Sequence, residues 1–232
     1  MAVHKKIVIP QSRFGPNIFA DYYHYGEKEG PEVPLMAYLG GALSRKEYEQ
    51  RLNSQPEPVV KELEKAMGEK QAGFSLDLLV IPCPVFNPEP SENLRKEILQ
   101  FFVFDLLPQT SNPRPHALGY VGFSFGAYLG ACLAFDLPRS KALATLGGTG
   151  MATAAWDARD TAFEGKKFMS FGNADDPLAM ENYKFLHALV ARGLDMEVEL
   201  GVGGHEFQDY VKNGFVKRAF AFVLEALLSP SA

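Results

Sequence analysis

Cysteine, basic clusters and metal-ligand spacings are all scarce in this sequence, and each scarcity removes a class of protein. The 232 residues include two cysteines, Cys83 and Cys132, both in apolar surroundings. Two such residues make neither a disulfide scaffold nor a C-x-x-C pair, so an intracellular, reducing location, the cytoplasm, is the default expectation. The formal net charge is −5, and no basic cluster interrupts it. A nucleic-acid partner is therefore not expected. His205-Glu206 has no second histidine four residues on, so the H-E-x-x-H pattern of a zinc site is absent and no metal is implied. No G-K-[ST] occurs, and the glycine-rich pieces at 147–150 and 201–204 lack G-x-G-x-x-G spacing behind a strand. That leaves no nucleotide cradle and no cofactor to expect.

Long apolar runs are missing too, with one exception. Residues 117–135 form an uncharged run of nineteen in which Gly122, Gly126 and Gly130 fall at G-x-x-x-G spacing. Alone, such a run could describe a membrane helix with a packing face. Here it is isolated, lacks a strongly basic flank, and belongs to a chain of mean hydropathy −0.10. No membrane span is expected. Nor does the N-terminus resemble a basic n-region followed by an apolar h-region, the pattern of a secretory leader.

What is present is a regular alternation of strands and helices. Residues 5–10 and roughly 18–25 read as two strands with Gly15-Pro16 turning between them, and the apolar stretch from Glu32 to Leu39 ends in Gly40-Gly41. Residues 44–71 are charged and helical in spacing, interrupted by Pro56 and Pro58, and Ser75 to Ile81 is a buried-strand pattern stopped by Pro82 and Pro84. A helix over 91–107 opens with Ser91 as cap and buries Leu94, Ile98, Leu99, Phe102 and Leu106. Later strands are predicted at 142–146, 167–172 and 196–202, and helices near 178–192 and 213–228. The pattern predicts one α/β domain over 1–232, a doubly wound, mainly parallel sheet with helices on both faces and an antiparallel pair at its start. No internal repeat or linker divides it, and nothing in it sets an oligomeric state.

The uncharged run itself splits in two. Ala117 to Phe123 has the composition of a strand buried on both faces, and Gly126 to Phe135 that of a helix stopped at Pro138. Between them stands Gly122-Phe123-Ser124-Phe125-Gly126, a G-x-S-x-G in the strand–turn–helix context the motif needs. A strand turning straight into a helix leaves no room for side chains two residues either side of the tip, hence the glycines. The tip side chain faces solvent, and the helix N-terminus aims its free N–H groups at the space beside it. A serine placed there is a candidate nucleophile.

Such a serine needs a base, and the base needs an acid to hold its tautomer. Ligands of a doubly wound sheet gather at the carboxyl ends of the strands, which sorts the candidates. Of five histidines, His4, His24, His116 and His187 fall at a terminus, an edge, the wrong strand end and mid-helix. His205, in Gly203-Gly204-His205-Glu206-Phe207, follows a late strand. Among the acids, Asp175 and Asp176 follow the strand 167–172 and precede Pro177. One of them is expected to orient His205 and the other to cap the next helix.

With the elbow, the order Ser, Asp, His resembles the α/β-hydrolase superfamily, most closely its small serine esterases, over essentially the whole chain. Gly172-Asn173-Ala174-Asp175 is similar to the G-x-x-D acid motif of that family, which implies Asp175 rather than Asp176 as the acid. Gly204-His205 is similar to its histidine loop. The resemblance further implies an oxyanion hole built from the N–H of Phe125 and a second N–H after the third strand. Where many family esterases carry His-Gly-Gly, this chain has Leu39-Gly40-Gly41-Ala42. Gly41 is preferred over Gly40 and Ala42 there. Met151 and Trp156 fall where the family inserts its lids, and are expected to line the substrate pocket.

The resulting expectation is a serine hydrolase acting on a small-molecule carboxylic ester or thioester through Ser124, Asp175 and His205. An acyltransferase would use the same residues with an alcohol or amine replacing water. A non-enzymatic small-molecule binder on this fold would be free to lose triad members, and here all three candidates are present.

Overall fold

A computed structural model describes residues 2–52, 58–68, 74–84, 92–148, 165–191 and 193–229. The chain opens with a hairpin, β1 (Val3–Ser12) and β2 (Gly15–Tyr25), in which Ser12 pairs with Gly15 and Gln11 with Pro16. Gly15-Pro16 therefore begins the second strand instead of turning between strands. The turn is Arg13-Phe14, and Gly15 takes the left-handed φ of +115° that lets the chain rejoin the ladder. β3 (Leu35–Leu39) and β4 (Leu76–Ile81) are both wholly buried. Between them lie α1 (Arg45–Leu52) and α2 (Pro58–Met67). Pro58 thus sits at a first helical position, where its missing N–H costs nothing.

The loop after β3 is tied down by a capping box. Ser44 N–H donates to Glu47 Oε2 at 2.8 Å, and Glu47 N–H donates back to Ser44 Oγ at 3.3 Å. Hydrogen bonds from Ser44 hold the Glu47 carboxyl below its ordinary range.

The helix expected over 91–107 changes pitch along its length. α3 (Glu92–Gln100) runs into a π-helical stretch, Phe101–Leu106, and a closing 3₁₀ turn, Leu107–Gln109. The wider turn buries the adjacent pair Phe101 and Phe102 together with Leu106, leaving Phe104 exposed to solvent.

β5 (Leu118–Phe123), α4 (Phe125–Asp136), β6 (Ser140–Leu146), β7 (Lys167–Asn173), α5 (Ala179–Val190), β8 (Met196–Gly201), α6 (Phe207–Lys212) and α7 (Phe215–Leu228) follow among the described residues. The described residues form one eight-stranded sheet in the order β1-β2-β4-β3-β5-β6-β7-β8. β2 is antiparallel to both β1 and β4, and every later pairing is parallel. Alternate residues of β3 and β5 serve opposite faces. Leu35, Ala37, Leu39 and Tyr120 join a core with α3 and α4, while Met36, Tyr38 and Val121 join one with α2 and α7. α7 lies so close to β5 that a Cβ on Gly119 would meet Val223 Cγ1 at 2.4 Å. At the far end of α4, the half-buried Lys166 ammonium donates to the Ala134 carbonyl at 2.5 Å, capping the helix where its dipole is negative. Burial pulls that ammonium below its ordinary pKa. No helix among the described residues is long and apolar enough to cross a membrane.

Candidate active site

β5 ends at Phe123 and α4 begins at Phe125, which leaves Ser124 alone on the turn. Its φ of 54° and ψ of −125° are a conformation that residues other than glycine rarely hold. Strain of this kind is kept up by packing on both sides. A Cβ on Gly122 would lie 2.5 Å from the Ala127 α-carbon, and one on Gly126 would collide with backbone oxygens at the end of β3. Both glycines of the pentapeptide are therefore required by the close approach of strand and helix. Ser124 N–H is anchored to the Leu146 carbonyl of β6 at 2.9 Å.

His205 reaches Ser124 from the loop between β8 and α6. Its Nε2 lies 2.8 Å from Ser124 Oγ, and its Nδ1 lies 2.7 Å from Asp176 Oδ2. The carboxylate can only accept, so Nδ1 carries the proton and Nε2 is left as the acceptor for the serine hydroxyl. The Phe123 ring stacks on the imidazole with centroids 5.4 Å apart, and Phe207 meets Phe123 edge-on.

The acid beside His205 is Asp176, which corrects the expectation of Asp175. β7 pairs with β8 as far as Asn173↔Gly201, one residue beyond the predicted strand end, and a turn closes from Asp176 N–H to the Asn173 carbonyl at 3.2 Å. The position that swings toward the histidine shifts by one accordingly. Asp176 also performs the capping task assigned to its neighbour, since its Oδ1 accepts the Leu178 N–H at 2.8 Å ahead of α5. Asp175 is exposed and faces the histidine loop by its backbone. Its N–H donates to the Gly203 carbonyl at 3.2 Å, and its Oδ2 accepts the Gly203 N–H at 3.4 Å.

Other side chains hold the same loop. Asp209 Oδ2 accepts the Gly204 N–H at 3.0 Å, Asn173 Nδ2 donates to the Gly204 carbonyl at 2.9 Å, and Asn213 Nδ2 donates to the Val202 carbonyl at 2.7 Å. Hydrogen bonds from Lys212 and from the Gly204 N–H keep the Asp209 carboxyl below its usual range. Tyr210 is buried behind the site and donates its hydroxyl to Asp176 Oδ2 at 3.0 Å. None of these four residues stood out in the sequence. They follow from the geometry of a loop closed between β7, β8 and α6, and no spacing along the chain announces them.

Of the three candidates for the second oxyanion donor, Gly40 is committed elsewhere, its N–H donating to the Ile81 carbonyl at 2.9 Å. Gly41 lies directly against the elbow serine, and a Cβ there would come within 3.1 Å of Ser124 Cβ. Phe125 holds the first position of α4, whose leading N–H groups have no partner inside the helix. Met151 and Trp156 lie outside the described residues.

No protein-family model matches the chain, and no curated protein matches it in sequence. Solved structures do match it in shape. A ferulic acid esterase is similar with a TM-score of 0.65 at 12% identity, over 96% of this chain and 98% of that one. An S-formylglutathione hydrolase of Staphylococcus aureus has a TM-score of 0.64 at 14% identity, covering 97% and 99% of the two chains. Carboxyl esterase 2 of the fungus Tuber melanosporum has a TM-score of 0.60 at 14% identity, covering 97% and 87%. With its sheet order, its strand-to-helix elbow and these neighbours, the chain has the α/β-hydrolase fold, without a large cap domain among the described residues.

Proposed function

We propose that the chain is a serine hydrolase that cleaves a carboxylic ester or thioester through an acyl-enzyme on Ser124. His205 Nε2 takes the hydroxyl proton as Ser124 Oγ attacks the carbonyl carbon, and Asp176 holds the imidazolium that results. The tetrahedral oxyanion lies against the N–H groups of Phe125 and Gly41. On collapse, the bond to the leaving oxygen or sulfur breaks and His205 returns the proton to it. A water molecule, deprotonated by the same nitrogen, then attacks the acyl carbon, and as the bond to Ser124 Oγ breaks to release the acid, His205 returns the proton to Ser124 Oγ.

The observation that carries this reading is the unbroken chain of contacts, Ser124 Oγ to His205 Nε2 at 2.8 Å and His205 Nδ1 to Asp176 Oδ2 at 2.7 Å, beginning at a helix N-terminus. The ester and thioester hydrolases among the similar structures support the same class of substrate. Only residues 147–166 separate β6 from β7, too few for a cap domain, which supports an open cleft and a preference for short acyl groups, acetyl to butyryl. Labelling with a fluorophosphonate probe, followed by a panel of p-nitrophenyl esters of increasing chain length, tests the reading. Absence of both labelling and turnover in the folded protein would rule it out.

A further inference from the structure

Tyr210 belongs to α6, five residues beyond His205, and its side chain is fully buried. Its hydroxyl and the His205 Nδ1–H share one acceptor, Asp176 Oδ2, at 3.0 and 2.7 Å. The other carboxylate oxygen is taken by the Leu178 N–H. Space for the phenol oxygen exists because residue 147 is a glycine with φ of +55°, where a Cβ would stand 2.4 Å from that oxygen. The Tyr210 ring also meets Phe123 edge-on at 5.6 Å, and Phe123 is the ring stacked on His205. One side chain thus touches both the carboxylate behind the imidazole and the wall beside it. Burial, reinforced by the Asp176 charge, pushes the phenol well above its ordinary pKa, which favours its neutral, proton-donating form.

We propose that Tyr210 is a positioning residue of this site, its hydroxyl fixing Asp176 Oδ2 and sharing that oxygen's charge, so that it sets how firmly His205 is held once protonated. The catalytic meaning of this role rests on the hydrolase reading above. A carboxylate oxygen already accepting a phenol proton has less charge to offer an imidazolium, and its two donors hold it to one orientation. The other titratable groups around the histidine loop, among the described residues, are Asp175 on the Gly203 N–H, exposed Glu206, and Asp209 paired with Lys212. None of these donates to Asp176 in the way Tyr210 does.

Tyr210→Phe removes the hydroxyl and keeps the ring. The test is an NMR titration of the His205 imidazole in the intact chain, together with the pH profile of kcat/KM on p-nitrophenyl acetate. Loss of the donor should move the His205 midpoint and the acid limb of the profile together to higher pH, by roughly half a unit. kcat should fall while KM holds. Site-specific 3-fluorotyrosine at 210, a stronger donor of nearly the same shape, should move both to lower pH, and it serves if Tyr210→Phe does not fold. A His205 titration unmoved by either change, or moved in the opposite sense, overturns the proposal and leaves Tyr210 as packing alone. The NMR titration needs no turnover. A wild-type protein that neither labels nor hydrolyses esters would therefore defeat the hydrolase reading while still allowing the Tyr210 contact to be judged.

Discussion

The carbonyl oxygen of Leu39 stands 2.1 Å from where a Cβ on Gly126 would be, so the end of β3 is pressed against the first turn of α4. This contact joins the loop bearing Gly41 to the elbow bearing Ser124, and it involves backbone on both sides. Neither partner can yield by changing a rotamer.

Gly126→Ala should accordingly destabilise the protein by about 3 kcal/mol or more, at the upper end of overpacking costs. It should also reduce activity, because relief of the clash must separate the elbow from the Gly41 loop. Urea unfolding of the variant beside the wild type measures the first effect and p-nitrophenyl acetate turnover the second.

Ser124→Ala should abolish fluorophosphonate labelling and nearly all turnover while leaving the melting temperature close to wild type, since the hydroxyl sits at the solvent-facing tip. Residual rates about 10³-fold above the uncatalysed reaction remain compatible with this, because binding and the proposed oxyanion donors survive. Wild-type turnover in the variant would remove Ser124 from the mechanism.

Asp176→Asn should lower kcat by about 10⁴-fold, because an amide facing Nδ1 favours the wrong tautomer. Asp175→Asn should cost far less, since Asp175 contacts the loop mainly through its backbone N–H. The paired kcat measurements decide between them, and a more damaging Asp175→Asn would return the acid role to that residue.

The pH profile of kcat/KM should fall on the acid side, where a protonated His205 has no lone pair to take the serine proton. Tyr210 lies beside the site, but burial and the neighbouring Asp176 carboxylate raise its pKa, so its ionisation should not cut off activity at alkaline pH. An alkaline limb near the ordinary phenol range that disappears in Tyr210→Phe would contradict this.

Across a series of p-nitrophenyl esters, kcat/KM should peak between acetate and butyrate. A deep apolar pocket would add about 0.8 kcal/mol per methylene, close to fourfold per carbon. A steady rise of that size out to decanoate would show a long acyl channel and defeat the open-cleft reading.

Much of this site is legible in the sequence because its parts are local. Gly122 to Gly126 encodes strand, turn and helix within a few residues; the crowding that demands Gly122 comes from its own helix, whereas that on Gly126 comes from the end of β3. His205 is legible by position, as the histidine that follows a strand at the carboxyl edge of the sheet, and its imidazole lies against Ser124. The alternation of strands and helices likewise carried the parallel sheet and its mixed edge. The choice between Asp175 and Asp176 was different in kind. Adjacent residues after a strand point to opposite sides, and the side each takes depends on where the ladder ends, which β8 decides by pairing through Asn173↔Gly201. Gly40 was removed as an oxyanion donor by Ile81, a residue of another strand, and Tyr210 reached Asp176 only because α6 folds back across Gly147. Sequence pattern determined the elements and the turn that strains Ser124, since periodicity and steric demand act between near neighbours. Tertiary structure alone decided which carboxylate, which N–H and which hydroxyl converge there, because strand register and helix docking set side-chain direction through contacts between residues distant in the chain.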